Sequence, residues 1–490
     1  MAANHGGRGR TGEVLLSALA AVGWAFLAMV GVGALGLHLM EADRAGSLGP
    51  MTAAAVVLAV GGSVEPSGDV RVFGLEGADA TSAIDVMPLG VSLTGALLLG
   101  GVFLRALRRA GPVPTPAGLA VRAGAVAVLF LLVLAGLCWV ADDTVTIDGS
   151  TLGRAAGEGA GRLPADLGDL ADIGGGLLPD RLVDLAGAEA EVGITVATAR
   201  TLLGGAVWVA GVLLLALLVS RRTPLPRGWE AVHPVVRPAA SALCTVLLLA
   251  TGAATAAGVY ASIGDEHPRL VLGGTLIGAP NGAGTGVPLG LFVPWHGTAT
   301  GALRQVLPDP LDELLGTGTE ERITVGRLAE QDGRVWLLVV GCVLMMLAAG
   351  VLTAARTPVP AGTGPGGRDR GPYGFAGWCA LRLGVATALA LPLLVRLTGV
   401  SATAGLSVFG FDAFAAGLDL HGSVPWAVLL GAAWGAAAGF AGALAAWYTG
   451  AAGVVAGGPG RPGGPAPPGG RAGGSGPESR SRGAREGRPG

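Results

Sequence analysis

Eight stretches of this sequence run for 18 residues or more with no acidic side chain and only three arginines among them, Arg122, Arg200 and Arg382. They cover residues 14–37, 86–104, 121–140, 196–219, 239–262, 335–354, 378–395 and 424–447. A hydrocarbon core about 30 Å thick is crossed by roughly 20 apolar residues of helix. A backbone in lipid must also satisfy its own hydrogen bonds, which a continuous helix does and an isolated strand does not. None of the runs alternates every second residue, as lipid-facing barrel strands do. The expected fold class is therefore all-α, a polytopic transmembrane helix bundle of about eight spans that occupies residues 14–456.

Composition agrees. Only 13% of the residues are charged and 51% are hydrophobic, whereas a soluble surface calls for about 25% charge. The first run follows Arg8 and Arg10, but it exceeds the length of a signal-peptide core and no small-x-small cleavage site follows it. It is predicted to stay as the first span, behind a short cytoplasmic segment at 1–13.

Arginine distribution sets the expected sidedness. With the N-terminus inside, the inner segments and adjoining helix ends hold 20 arginines against 5 acids, and the outer ones hold 12 against 29. Arg105, Arg108 and Arg109, and likewise Arg221, Arg222 and Arg227, lie directly beside helix ends, where the positive-inside rule applies. The prediction is a multi-pass protein of the cell membrane with both termini cytoplasmic. It consists of four hairpins opening outward through linkers 38–85, 141–195, 263–334 and 396–423. Residues 457–490 are Gly-, Pro- and Arg-rich and read as a disordered basic cytoplasmic tail.

Three linkers hold semi-apolar stretches, at 51–64, 270–295 and 397–418, which are candidates for re-entrant, spanning or surface-lying segments. Val72-Phe73-Gly74-Leu75-Glu76 in the first linker echoes Val408-Phe409-Gly410-Phe411-Asp412 in the last, which suggests an internal repeat of the hairpin unit. The second linker is acidic, and its leucines between 166 and 185 recur at helical spacing. That pattern predicts two short amphipathic helices on the outer face.

Few residues point to chemistry. Without a lysine the chain has no GxxxxGK[ST] loop, and it contains neither HExxH nor GxSxG. Cys138, Cys244, Cys342 and Cys379 fall in or beside apolar runs without CxxC spacing and read as packing residues. Asp265-Glu266-His267, His296, and Asp419 with His421 are sequence-local groups in linkers, unlike the helical i, i+4 spacing of ligands in helix-borne metal sites. No catalytic residue, cofactor, metal or nucleic acid is expected, and the chain is read as a non-enzyme. Two features stand out. Gly431, Gly435 and Gly439 recur every four residues, a small-residue groove for helix packing. Arg396 is a candidate for a functional ion pair with Asp412 or Asp419. Trp139, Trp336, Trp378, Trp426 and Trp447 mark run ends as an interfacial belt.

Leu19-Ala20-Ala21-Val22-Gly23-Trp24-Ala25, Asp85-Val86-Met87-Pro88-Leu89-Gly90-Val91, Pro288-Leu289-Gly290-Leu291 with Phe292-Val293-Pro294-Trp295, and Arg334-Val335-Trp336-Leu337-Leu338 resemble the streptophobe family of hydrophobic multi-spanning proteins of Streptomyces and relatives. More distantly, the hairpin layout is similar to actinobacterial PerM-like membrane proteins linked to cell division. The first resemblance implies no activity, and the second implies an envelope or division role. The expected function is thus an envelope-associated or cell-division-associated interaction factor, with lipid and envelope proteins as partners. The alternative is a secondary transporter or channel built on re-entrant segments of the outer linkers.

Overall fold

In the computed structural model, residues 5–44, 47–68, 78–109, 115–141, 144–147, 190–220, 233–300, 320–358, 371–408 and 411–453 are described. Each of the eight apolar runs is a helix: α1 (His5–Leu39), α3 (Leu89–Arg109), α4 (Pro116–Ala141), α5 (Thr198–Val219), α6 (His233–Ala261), α9 (Trp336–Arg356), α10 (Pro372–Leu397) and α11 (Val424–Tyr448). All eight are long and apolar enough to cross a membrane. Among the described residues, three further α-helices lie in the connections: α2 (Leu48–Ala59), α7 (Pro268–Gly290) and α8 (Val325–Gln331).

Where α10 meets α11, small residues of α11 face the contact while large residues on the far side of α10 are exposed. On α10, Leu381, Val385, Leu389 and Leu393 form an exposed stripe. On α11 the buried face is Ala427, Gly431, Gly435, Ala438, Gly439, Gly442, Ala443 and Ala446. Lipid offers no hydrophobic gain from burying leucine, so close approach of backbones decides the interface. A methyl group added at Gly431, Gly435 or Gly439 would meet the carbonyl oxygen of Thr387, Leu383 or Cys379 at 2.8, 2.7 or 2.8 Å. The glycine groove therefore seats α10 of the same chain, while Gly442 abuts Gly350 of α9.

Among the described residues, two large apolar cores divide the molecule into halves, and a smaller cluster around Phe375 and Cys379 joins the far ends of α9, α10 and α11. One large core joins α1 through α5 around Met29, Leu99, Phe130 and Leu134. The other joins α6, α7, α9, α10 and α11 around Leu291, Met346 and Leu383.

The connections hold something the sequence reading did not assign, an eight-stranded antiparallel sheet. Its strands are β1 (Val64–Gly68), β2 (Ala78–Val86), β3 (Thr144–Ile147), β4 (Ala190–Val196), β5 (Trp295–Thr300), β6 (Glu321–Ile323), β7 (Val400–Val408) and β8 (Phe411–Gly422). The bundle is helical as expected; the four long connections are where the strands lie. Their order is β3-β4-β1-β2-β7-β8-β5-β6. Each of the four long linkers supplies two neighbouring strands, so all four linkers meet at one end of the bundle. Eight alternating crossings produce that arrangement.

The strand order also repeats. In each half the second linker's hairpin precedes the first linker's strands, and the half-sheets join at β2–β7, from Ala78↔Val408 to Val86↔Val400. Helix α2 precedes β1 as α7 precedes β5. The two four-span halves thus share one strand order, in which the position of the first hairpin corresponds to that of the third. The first and last hairpins, whose sequences echo each other, meet instead at the seam; residues 72–76 lie outside the described residues, as do 166–185 and the tail.

The three semi-apolar stretches take three different forms. α2 folds back beside α1, with Thr52 against Gly33, and leaves the bundle where Gly61 meets Gly204 of α5. α7 lies across the sheet-side ends of the spans, touching Gly36 of α1, Gly90 of α3, Thr398 after α10 and Cys342 of α9 in succession. The stretch at 397–418 is the β7–β8 hairpin, whose register shifts between Leu406 and Ser407.

Candidate functional site at the junction of sheet and bundle

Strand β2 runs through Met87 and Pro88 into α3, and β8 runs through Ser423 into α11, so the ends of both strands are fixed by spans. Register then lines up polar side chains that are far apart in sequence. Asp85 pairs with Ser401, Ser401 with Asp419, and Asp419 with Thr298. Residues directly opposite one another share a face of the sheet. One pleat further toward the bundle, His421 pairs with His296, and His296 with Arg322. The other face carries Trp295, Ala299 and Ile323, all buried in the second core. The polar row is therefore held on a strand framework whose reverse side is packed.

Beneath it opens a cleft of about 370 Å³, bounded by Gly61 and Gly62 after α2, Asp85, Arg396 at the end of α10, Ser401, Asp419 and His421. A second cleft of about 420 Å³ shares Gly61, Gly62 and Asp85 and adds Arg200 and Trp208 of α5. Asp85 thus stands on the wall between the two, with an arginine in each. Ser63, which lines the second cleft, and Thr201 near it keep buried hydroxyls with no hydrogen-bond partner among the described residues, polar points that a water could satisfy.

The candidate ion-pair residues are only partly brought together. Arg396 and Asp419 line the same cleft. The Asp419 carboxylate accepts a 2.7 Å hydrogen bond from Nδ1–H of His421. Asp412 pairs with Ser407 near the hairpin turn, roughly 24 Å along the strand from Asp419 at 3.4 Å per residue. Gly431, Gly435 and Gly439 lie in the bundle between α10 and α11 and take no part in the clefts. Of the local histidine groups, His267 sits in the α6–α7 turn, its backbone N–H donating to Asp265 at 2.8 Å.

Sequence spacing missed two things. His296, His421 and Glu320, the residue before β6, each offer one ligand atom, and the three atoms lie within 4.8 Å of one another. The imidazoles of His296 and His421 stack with centroids 5.6 Å apart. Metal coordination is the chemistry this trio can support; no such group was expected because His296 and Glu320 lie far apart in the third linker and His421 lies in the fourth. The second is Asn281 of α7, whose side-chain amide bonds to Leu89 and Met87 of the first half.

Across the whole chain, no protein-family model, no curated protein and no solved structure matches. The functional reading therefore rests on the geometry, and the molecule it describes is an integral membrane protein of eight helical spans.

Proposed function

We propose that this chain is a membrane-anchored platform, a non-enzymatic interaction factor whose eight-stranded sheet faces the extracytoplasmic side and docks envelope or cell-division proteins. The observation that carries the reading is the fusion of all four long linkers into one sheet. A bundle that only needed to stay folded could close its helices with short turns. Sidedness follows from the arginine count, which puts this end of the bundle outside, and membership of the streptophobe family belongs to the same proposal.

The spans themselves support binding over transport. The eight apolar runs hold no Asp, Glu or His, the groups that relay protons and bind ions in coupled carriers; Arg382 of α10, whose guanidinium nitrogens are partly buried, lies over the Trp378 ring. Among the described residues the sheet ends in β3 and β6, and an edge strand is the kind of element that can pair with an added strand.

Photocrosslinking tests the proposal. A photoreactive residue at Arg322 or Thr403, both exposed, is expected to capture the same envelope protein in native membranes. One at exposed Leu389 on the outer stripe of α10 is expected to capture lipid. Adducts with lipid alone at every sheet position would overturn the reading.

One observation favours a carrier as a second reading: the ends of the 51–64 and 397–418 stretches meet across the first cleft, Gly61 and Gly62 facing Gly399 and Ser401. Reconstituted vesicles that accumulate a solute only with Asp85 and Arg396 intact would favour it.

A further inference from the structure

We propose that His296, His421 and Glu320 bind one transition-metal dication of the zinc type, with Asp419 as the residue that positions His421. This inference stands on the geometry of the sheet and is independent of the platform reading.

The two histidines are direct cross-strand partners on β5 and β8, so the backbone ladder holds them together on one face. Glu320 is brought in by β6, whose Glu321 pairs with Gly297 beside His296. One ligand therefore comes from each of three adjacent strand segments, and closing them on an ion ties the short edge strand to its neighbours.

The distances are close to those an ion needs. Tetrahedral zinc with ligands at about 2.0–2.1 Å sets ligand atoms about 3.3 Å apart. Here they lie within 4.8 Å, and all three side chains are exposed or half-buried. Side-chain rotation alone can close the difference.

The surroundings match the chemistry. Asp419 accepts from Nδ1–H of His421, which fixes the tautomer and leaves Nε2 with its lone pair free to coordinate. A carboxylate behind a ligating imidazole is the usual outer partner at histidine metal sites and raises the ligand's basicity. Arg322 opposite His296 adds a positive charge to the row, offset by the carboxylates of Glu320 and Asp419. Two imidazoles and one carboxylate select zinc, copper or nickel over magnesium and calcium, which prefer all-oxygen sets. Three protein ligands leave a fourth position open to water or to a group from a bound partner.

The test uses untagged, full-length protein in nanodiscs. Equilibrium dialysis against Zn²⁺ with elemental analysis is expected to find about one zinc per chain, with Mg²⁺ and Ca²⁺ unable to displace it. His296→Ala and His421→Ala should each weaken binding by at least about 100-fold, and Asp419→Asn by about 10–100-fold. His267→Ala, in a separate turn, should leave binding unchanged. Co²⁺ in place of zinc should show the visible absorption of a tetrahedral site, lost in His421→Ala. If an alanine variant fails to fold, judged by its tryptophan fluorescence without metal, His296→Gln and His421→Gln replace it. Wild-type protein that retains no zinc, or zinc retained in full by the double histidine variant, would overturn the proposal.

Discussion

The carboxamide of Asn281 caps helix α3 from the opposite half of the molecule: its Oδ1 accepts from the Leu89 N–H at 2.9 Å, and its Nδ2 donates to the Met87 carbonyl at 2.7 Å. Asn281 lies on α7, which runs across the ends of the spans, so two hydrogen bonds tie the second half to the point where β2 turns into α3. The first N–H groups of a helix have no partner within it, and here the partner comes from almost two hundred residues away.

Asn281→Ala leaves that N–H and carbonyl unpaired in a part-buried site. It should cost about 1–3 kcal/mol, read as a lower thermal midpoint of the purified protein. Asn281→Asp keeps the acceptor for Leu89 but loses the donor to Met87, and should fall between alanine and wild type.

Gly435→Ala should destabilise the bundle by about 1–3 kcal/mol, the usual cost of overpacking a tight interface. Its new methyl would meet the Leu383 carbonyl and the Thr387 hydroxyl at 2.7 Å, and a helix backbone does not yield as a side-chain tip does. Gly341→Ala on α9, where nothing lies within 4 Å, should be neutral or slightly stabilising, because alanine favours helix. Equal effects at the two positions in a thermal shift assay would refute the argument.

Each half has its own core, so the chain should tolerate being cut between them. Fragments 1–226 and 227–490, co-expressed, are expected to co-purify through α7 and the β2–β7 seam. Ala402→Pro, which pairs with Ile84 across that seam, removes a ladder donor from an interior strand and should reduce recovery of the complex several-fold.

Sidedness is testable by labelling. Cys138, Cys342 and Cys379 are buried and Cys244 is half-buried, so the background is low. Thr403→Cys should react with a membrane-impermeant maleimide in intact cells, and Ser481→Cys only after permeabilisation. The reverse pattern would invert the topology.

The helices were legible because each apolar run has one low-energy form in lipid. The strands carried a signal as well, but a blurred one. In β7, Val400, Ala402, Ala404, Leu406 and Val408 alternate with Ser401, Thr403, Gly405 and Ser407, the period of a half-buried strand. Alanine, glycine and serine blunt the contrast, so the stretch reads as semi-apolar. β6 has three residues, too few for any period. α7 was visible as an apolar stretch, yet its path across the bundle depends on Gly36, Gly90 and Gly284 giving it room. Of the candidate residues, Arg396 and Asp419 do share a cleft, and Asp412 is held at the other end of its strand.

Composition on its own determines that this polypeptide forms eight helices long and apolar enough to cross a membrane, because the cost of exposing backbone or charge to lipid is met residue by residue and needs no partner. Strand register is different. Whether His296 meets His421, or Asn281 reaches Leu89, depends on pairings between segments remote in sequence, and a slip of one residue would turn each polar side chain to the opposite face. Only the folded sheet and the helix lying beneath it decide those contacts.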